Sequence, residues 1–354
     1  MKIAIDCRML GMSGIGNYLK GCLSIMINSN NEFLLFGDEN KILPLVNEYS
    51  NYKIFTCNIK PFTIKDIIFF NKKFLKIINF CDIYYSPYFN IPSGIKIPVF
   101  LTIHDIVFLD MPELVSFIGF YIRFLFYKRA INLSNVIFTI SDFSKNRIEY
   151  HFGTKKTIIN ASNSIINDNF NNNNIITKKN YILFIGNIKK HKGLNILLTA
   201  FFSAIKDGLK YKLIIIGEKD NFRSSENNII LNNEPNVIFT GYISDSEKNQ
   251  YLAESALLVQ PSLYEGFGYP PMEAMFSGTN VLISDIPVFK EIYKDYPVTF
   301  FKSGDSIDLK NKLLNLLHNK TPAVLKLPLN LKEKYNFKKT VAIILSEMEK
   351  YNNK

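Results

Sequence analysis

At 354 residues the chain has room for two domains, and 47% hydrophobic against 21% charged residues supplies apolar material for a core in each. That excludes a disordered or fibrous protein. Lys and Arg number 42 against 31 Asp and Glu, and the net charge of +11 favours an anionic partner: nucleic acid, an anionic membrane surface or a phosphorylated substrate. Without an RNP-like, zinc-finger or helix-turn-helix signature, nucleic acid falls to the bottom of that list. Residues 1–6 (MKIAID) meet a carboxylate after three apolar residues and read as a first strand rather than a signal peptide. No apolar run reaches the roughly 18 residues that cross a bilayer. Cys7, Cys22, Cys57 and Cys81 lack C-x-x-C spacing and suit free thiols in a reducing cytoplasm.

Strand-length apolar runs alternate with helical periods along the chain. After the strand 2–6, residues 16–27 have helical spacing, and strands follow at 33–36, 83–86, 99–103 and 136–140. Ser141 can cap the helix that runs to about His151. Residues 167–180 (NDNFNNNNIITKKN) have no period and read as a linker. Beyond them the alternation restarts, with strands at 181–186, 212–217, 236–240, 256–260, 280–284 and 298–301. Helices are expected at 194–206 and 307–317, and Ser244 with Glu247 forms a capping box for another. The pattern predicts two α/β domains with parallel sheets, 1–166 and 181–335, and a last helix at 336–354 packing back on the first. Ligands of such sheets sit beyond the strands' carboxyl ends, which places the expected active site in a cleft between the domains.

The richest segment is 261–275 (PSLYEGFGYPPMEAM). A strand ends at Pro261, and Gly266 and Gly268 allow a close backbone approach to a ligand. Pro271 suits the first turn of a helix ending near Gly278, whose N-terminus would offer N–H groups to a phosphate. Glu265 and Glu273 flank that turn, and carboxylates accept paired hydrogen bonds from vicinal hydroxyls, so one can hold a sugar and the other a ribose. Singly, each reads as an ordinary surface or helix-start acid.

Glu265-x7-Glu273 with Gly-Phe-Gly inside resembles the E-x7-E signature of retaining glycosyltransferases of family 4, also called group 1. Four further stretches agree in order: 6–8 (DCR) with 13–18 (SGIGNY), 104–105 (HD), 186–193 (GNIKKHKG) and 284–291 (SDIPVFKE). The bacterial polysaccharide mannosyl- and rhamnosyltransferases are the most similar type. The resemblance implies the GT-B fold, two Rossmann-like domains facing each other across a cleft. It also implies donor contacts from Gly14, Gly16, Asn187, Lys192, Tyr242, Ile243, Glu265, Gly266, Phe267, Gly268 and Glu273. Lys192 would bind the donor phosphates within a basic cluster of Lys189, Lys190 and His191, Glu265 the transferred sugar, and Glu273 the ribose. His104 would face the donor sugar or the attacking hydroxyl, so His104, Lys192 and Glu265 are the catalytic candidates. Departures are Asn187 and Asn17, where an Arg often stands, Gly193 for a frequent Asn, and Asn160-Ala161 for Asn-Gly.

No D-x-D, H-E-x-x-H or Cys/His cluster occurs, and the resemblance implies neither cofactor nor divalent metal. It implies sugar transfer from a nucleotide-sugar, first GDP-mannose and behind it dTDP-rhamnose or a UDP-sugar, to a lipid-linked oligosaccharide in O-antigen or capsule assembly. The rival class is a noncatalytic sugar- or nucleotide-binding subunit. The expected location is cytoplasmic, with a peripheral seat on the inner membrane face open. Two aromatic, basic stretches bear on that seat. In 61–80 an amphipathic face set by Lys65, Lys72 and Lys76 against Ile67, Phe70, Phe74 and Ile78 competes evenly with burial, whereas 116–130 reads as a buried core helix.

Overall fold

A computed structural model describes residues 1–63, 66–67, 70–165, 177–217, 234–317 and 323–353. The chain divides into two compact units, 1–166 with 335–354, and 167–334. The expected linker lies outside the described residues as far as 176, and its last two residues already belong to a strand.

Among the described residues, unit 1 holds a parallel sheet in the order β3-β2-β1-β4-β5-β6-β7. Its strands are β1 (Lys2–Asp6), β2 (Glu32–Gly37), β3 (Tyr52–Thr56), β4 (Ile83–Ser86), β5 (Val99–Thr102), β6 (Val136–Thr139) and β7 (Thr157–Asn160). Ile3 pairs with Phe33 on one side and Ile83 on the other. The central strands are buried end to end, and apolar but for a closing Ser or Thr, as in a parallel sheet covered on both faces. The sequence pattern missed β3 and β7. Both are edge strands, half-exposed, with Lys53, Thr56 and Thr157 interrupting the run.

The longer helices of unit 1 before its last, among the described residues, are α1 (Ser13–Met26), α2 (Glu39–Val46), α3 (Lys72–Ile78), α4 (Phe117–Leu133) and α5 (Asp142–Phe152). Ser141 caps α5 through Ser144 N, and Gly153 ends it in the left-handed region. Of the two basic stretches, 61–80 follows the burial reading and 116–130 departs from expectation. Ile67, Phe70 and Ile78 are core residues and Phe74 packs on them, so 61–80 does not present its apolar side outward; Lys65 lies outside the described residues. Conversely, α4 is no core helix. Tyr127, Ala130 and Ile131 are buried, but Phe117, Ile118, Tyr121, Ile122 and Leu125 are exposed.

Unit 2 repeats the plan in the order β10-β9-β8-β11-β12-β13. Its strands are β8 (Lys179–Ile185), β9 (Lys212–Ile216), β10 (Val237–Gly241), β11 (Ser255–Gln260), β12 (Asn280–Ser284) and β13 (Thr299–Phe301). Its helices are α6 (Leu194–Lys206), α7 (Asp245–Glu254), α8 (Tyr269–Phe276), α9 (Pro287–Tyr293) and α10 (Ser306–Leu317). The expected capping box is present, Ser244 and Glu247 each bonding the other's backbone N–H. Phe184, Phe201, Leu213 and Leu309 meet in the core between the sheet, α6 and α10.

The last helix, α11 (Phe337–Asn352), belongs to unit 1. Phe337 lies flat on Gly21 of α1, where a Cβ would meet its ring at 2.2 Å, so glycine sets this close helix approach. Asn135 donates to Tyr351 Oη at 2.7 Å, and Ser164 and Thr340 share a hydrogen bond of 3.0 Å. Strand order reverses between β1 and β4 in one sheet and between β8 and β11 in the other, and loops leaving a sheet at such a switch point are where ligands bind.

Candidate active site

In unit 2 the loop after β8 and the loop after β11 are bound together at the switch point. Leu263 N donates to His191 O at 2.7 Å. Gly193, at φ +69°, lies so close that a Cβ there would sit 2.0 Å from Pro261 O, so any side chain in place of this glycine would push the two loops apart. This contact brings Lys192 Nζ within 2.7 Å of Glu265 Oε1, an oxygen that also accepts from Ser262 Oγ at 2.8 Å. Ser262 Oγ in turn accepts from Gln260 Nε2 at 3.0 Å, and Gln260 Oε1 is buried without a hydrogen-bond partner. Glu265 is thus fixed on two sides and only 8% exposed. Burial, then the Lys192 charge, pushes the neighbouring His191 imidazole down to about 4, so it is neutral at pH 7. Of the expected basic cluster, Lys189 and Lys190 are exposed, as is Asn187.

Gly266, Phe267 and Gly268 are buried and lead into α8. Gly268 adopts φ +86°, a Cβ there would lie 2.5 Å from the Phe289 ring, and its carbonyl accepts from Tyr293 Oη. The helix begins at Tyr269, which places Pro271 in its first turn as expected and Pro270 beside it. Neither has an N–H, so this helix start offers a phosphate fewer backbone donors than the sequence reading supposed. Glu273 accepts from Lys248 Nζ at 3.0 Å. Burial lowers the Lys248 ammonium, but Glu273 and then Asp245 outweigh it, and the net shift is upward.

Lys248 escaped the sequence reading. A weak signal exists: it stands in the first turn of α7, the end of a helix where a cation is electrostatically misplaced unless a carboxylate holds it. At the end of β10, Tyr242 is 87% exposed and Ile243 half-buried. Gly217 N donates to Gly241 O, and a Cβ on Gly217 would meet Gly186 O at 2.2 Å, so glycines draw the ends of β8, β9 and β10 together.

In unit 1, His104 follows β5. Its Nε2 lies 2.9 Å from Pro87 O, its ring stands edge-on to Tyr18 at 4.8 Å, and burial takes it down to about 4. The carbonyl can only accept, so Nε2 carries the hydrogen and the imidazole is neutral at pH 7. Gly16 packs on the preceding turn, where a Cβ would meet Met9 O at 2.5 Å, while Gly14 is exposed. At the end of β1 lies a buried ionic network. Arg8 clasps Asp6 with Nε and Nη2 at 2.9 and 2.6 Å and reaches Asp66 with Nη1 at 2.5 Å. Tyr84 and Tyr88 donate to Asp6, and Asn90 to Asp66.

Residues 165–336 match the family described as glycosyl transferases group 1. The chain is 33% identical over 202 residues to the O-antigen chain mannosyltransferase RfbU of Salmonella typhimurium, covering 54% of this chain and 53% of that protein. It is 25% identical over 233 residues to O-antigen chain mannosyltransferase B of Escherichia coli, covering 60% and 59%. The match thus spans little more than half the length of these relatives. In fold the chain is similar to sucrose-phosphate synthase of Thermosynechococcus elongatus, with TM-score 0.72 at 15% identity over 99% of both chains. It is likewise similar to Anabaena HepE in complex with UDP and glucose, with TM-score 0.70 at 17% identity over 99% of both. Two Rossmann-like parallel sheets of this kind define the GT-B class. Within it, unit 2 is the part of the chain that matches the group 1 glycosyl transferases.

Proposed function

We propose that the chain transfers a sugar from a nucleotide-sugar, most simply mannose from GDP-mannose, to a lipid-linked oligosaccharide in cell-surface polysaccharide assembly. The observation that carries the transfer is the Lys192–Glu265 pair at the switch point of unit 2. The O-antigen mannosyltransferases among the relatives support the choice of sugar. Lys192 is a cation positioned for the donor diphosphate, and Glu265, immobilised by Ser262, accepts hydroxyls of the transferred sugar. Glu273 holds the ribose and Lys248 aims it. Tyr242, Ile243 and the Gly266–Gly268 turn line the nucleotide, with Asn187 near the phosphates. His104, with Gly14 and Gly16 in the same unit, serves the donor sugar and the attacking hydroxyl, and a neutral imidazole that protonates only near pH 4 positions rather than deprotonates.

The bond from the anomeric carbon to the diphosphate oxygen breaks as the acceptor oxygen bonds to the same face. The departing oxygen takes the acceptor's proton, and Lys192 stabilises its charge. Transfer retains configuration and uses no divalent metal. In a thermal-shift panel GDP is expected to raise the melting point more than UDP, dTDP or ADP, and NMR of the product to show a retained linkage formed in EDTA. An inverted linkage, or loss in EDTA restored by magnesium, refutes the mechanism, and a larger shift with UDP or dTDP moves the donor to a UDP-sugar or dTDP-rhamnose.

If Glu273 holds ribose, Glu273→Ala raises the donor KM by about tenfold and changes kcat less. Lys248→Met acts in the same direction through the loosened carboxylate. A fall in kcat at unaltered nucleotide affinity contradicts that role.

A further inference from the structure

Helix α4 turns an apolar stripe to solvent: Phe117 is 76% exposed, Ile118 70% and Leu125 59%, with Tyr121 and Ile122 beside them. Buried apolar residues on its opposite face already anchor it, so the stripe is surplus to folding. Two turns beyond Tyr121 on the same face stands Lys128, about 15 Å along the axis from Ile118. Lys128 and Asn132 form one wall of a cavity of about 410 Å³, whose other wall is Thr154, Lys155 and Lys156 after α5. The other cations of α4 are committed inward. Arg123 stacks on Phe108 and donates to Gly119 O, and Arg129 donates to Ile91 O and Ser93 Oγ. The helix contains no Asp or Glu.

We propose that α4 seats the chain on an anionic lipid bilayer, its stripe entering the headgroup–acyl boundary while Lys128 and Lys155 meet lipid phosphates. An aromatic–aliphatic patch continued by lysines on one helix, without acids, is the chemistry of an interfacial anchor. Charge chooses the occupant. A second copy of the chain, itself at +11, would set lysines against lysines, whereas an anionic leaflet attracts them. The proposal rests on the reading of a lipid-linked acceptor, since the stripe lies at the helix end that follows β5 and His104 and so shares the rim where that acceptor is used.

The test is co-sedimentation of the whole chain with phosphatidylcholine vesicles, with and without phosphatidylglycerol. Wild type is expected to bind only the vesicles containing phosphatidylglycerol. Ile118→Ser with Leu125→Ser lowers the partition coefficient by about tenfold or more, and Lys128→Gln with Lys155→Gln by about five-fold per lysine. Lys156 is left alone because its Nζ donates to Ser134 O. The four substituted side chains are exposed, so melting points match wild type. Absence of binding, equal binding to both compositions, unchanged binding of the stripe variants, or a dimer that those variants dissolve would each overturn the proposal. Donor hydrolysis, read in parallel without lipid, separates the two claims. It is unchanged in both double variants, and if wild type hydrolyses no nucleotide-sugar while still binding vesicles, the transferase reading fails and the membrane seat stands.

Discussion

Lys192→Ala and Glu265→Ala are each expected to lower kcat/KM by about 10²–10³ while leaving the fold intact. The two side chains meet at 2.7 Å where the β8 and β11 loops are stitched by Leu263 N and by the Gly193–Pro261 approach, so neither needs to be recruited when the donor binds. On the proposed mechanism, removing Lys192 takes away a cation held in place at that junction, and the charge on the departing diphosphate loses its partner. Removing Glu265 leaves the lysine but, on the same mechanism, strips the sugar of its acceptor, and Ser262 Oγ is left without the oxygen that orients it. The stability cost is modest by comparison, about 1–3 kcal/mol for a partner left unsatisfied. Thermal melting therefore separates a chemical defect from an unfolded variant. Near-wild-type kcat/KM in either variant removes that residue from the mechanism.

Much of this junction is legible in the sequence because its parts are local. Glu265 and Glu273 lie eight residues apart on a turn marked by Gly266, Gly268 and two prolines, and Lys192 lies in a basic loop after an unbroken apolar strand. The central strands are equally plain, since burial on both faces leaves them apolar but for a closing Ser or Thr. What was missed depends on partners distant in sequence or on an element's starting residue. Lys248 becomes meaningful only beside Glu273, 25 positions on, and Arg8 only beside Asp66, 58 positions on. Pro271 sits in the first turn as expected, but Pro270 stands beside it there, and neither proline supplies an N–H. For α4 the composition was misleading. An apolar helix reads as core when every apolar side chain is assumed to be covered, and Phe117, Ile118, Tyr121, Ile122 and Leu125 stay exposed.

Arg8→Met is expected to destabilise unit 1 by about 3–5 kcal/mol, because it leaves two buried carboxylates facing each other without their shared cation. Asp6 and Asp66 are 1% and 0% exposed, and the guanidinium is their only cationic partner among the described contacts. For a unit of this size that loss corresponds to a drop of about 10 °C in melting temperature. The pH dependence identifies the cause. Burial lifts the Asp66 carboxyl to about 6 despite the opposing pull of Arg8. A carboxylate raised in the folded state binds protons more tightly there than in the unfolded chain. Its favourable contribution is complete below the ordinary value near 4 and is lost as pH rises through 6. Without Arg8 that preference for the proton grows, so the deficit of the variant is largest above pH 6 and narrows as pH falls towards 4. His104 works in the opposite sense, because its folded value is lowered to about 4, and stability is lost as pH falls through that range. It is common to wild type and variant, so it cancels in their difference. Asp66→Asn keeps the Arg8–Asp6 clasp and removes the titrating group, and its stability relative to wild type should improve with rising pH across that same window. Melting curves of the three proteins on both sides of pH 6 decide the matter. An Arg8→Met deficit that is small, or that stays constant as the pH falls, means the network is not what holds β1 to the segment carrying Asp66.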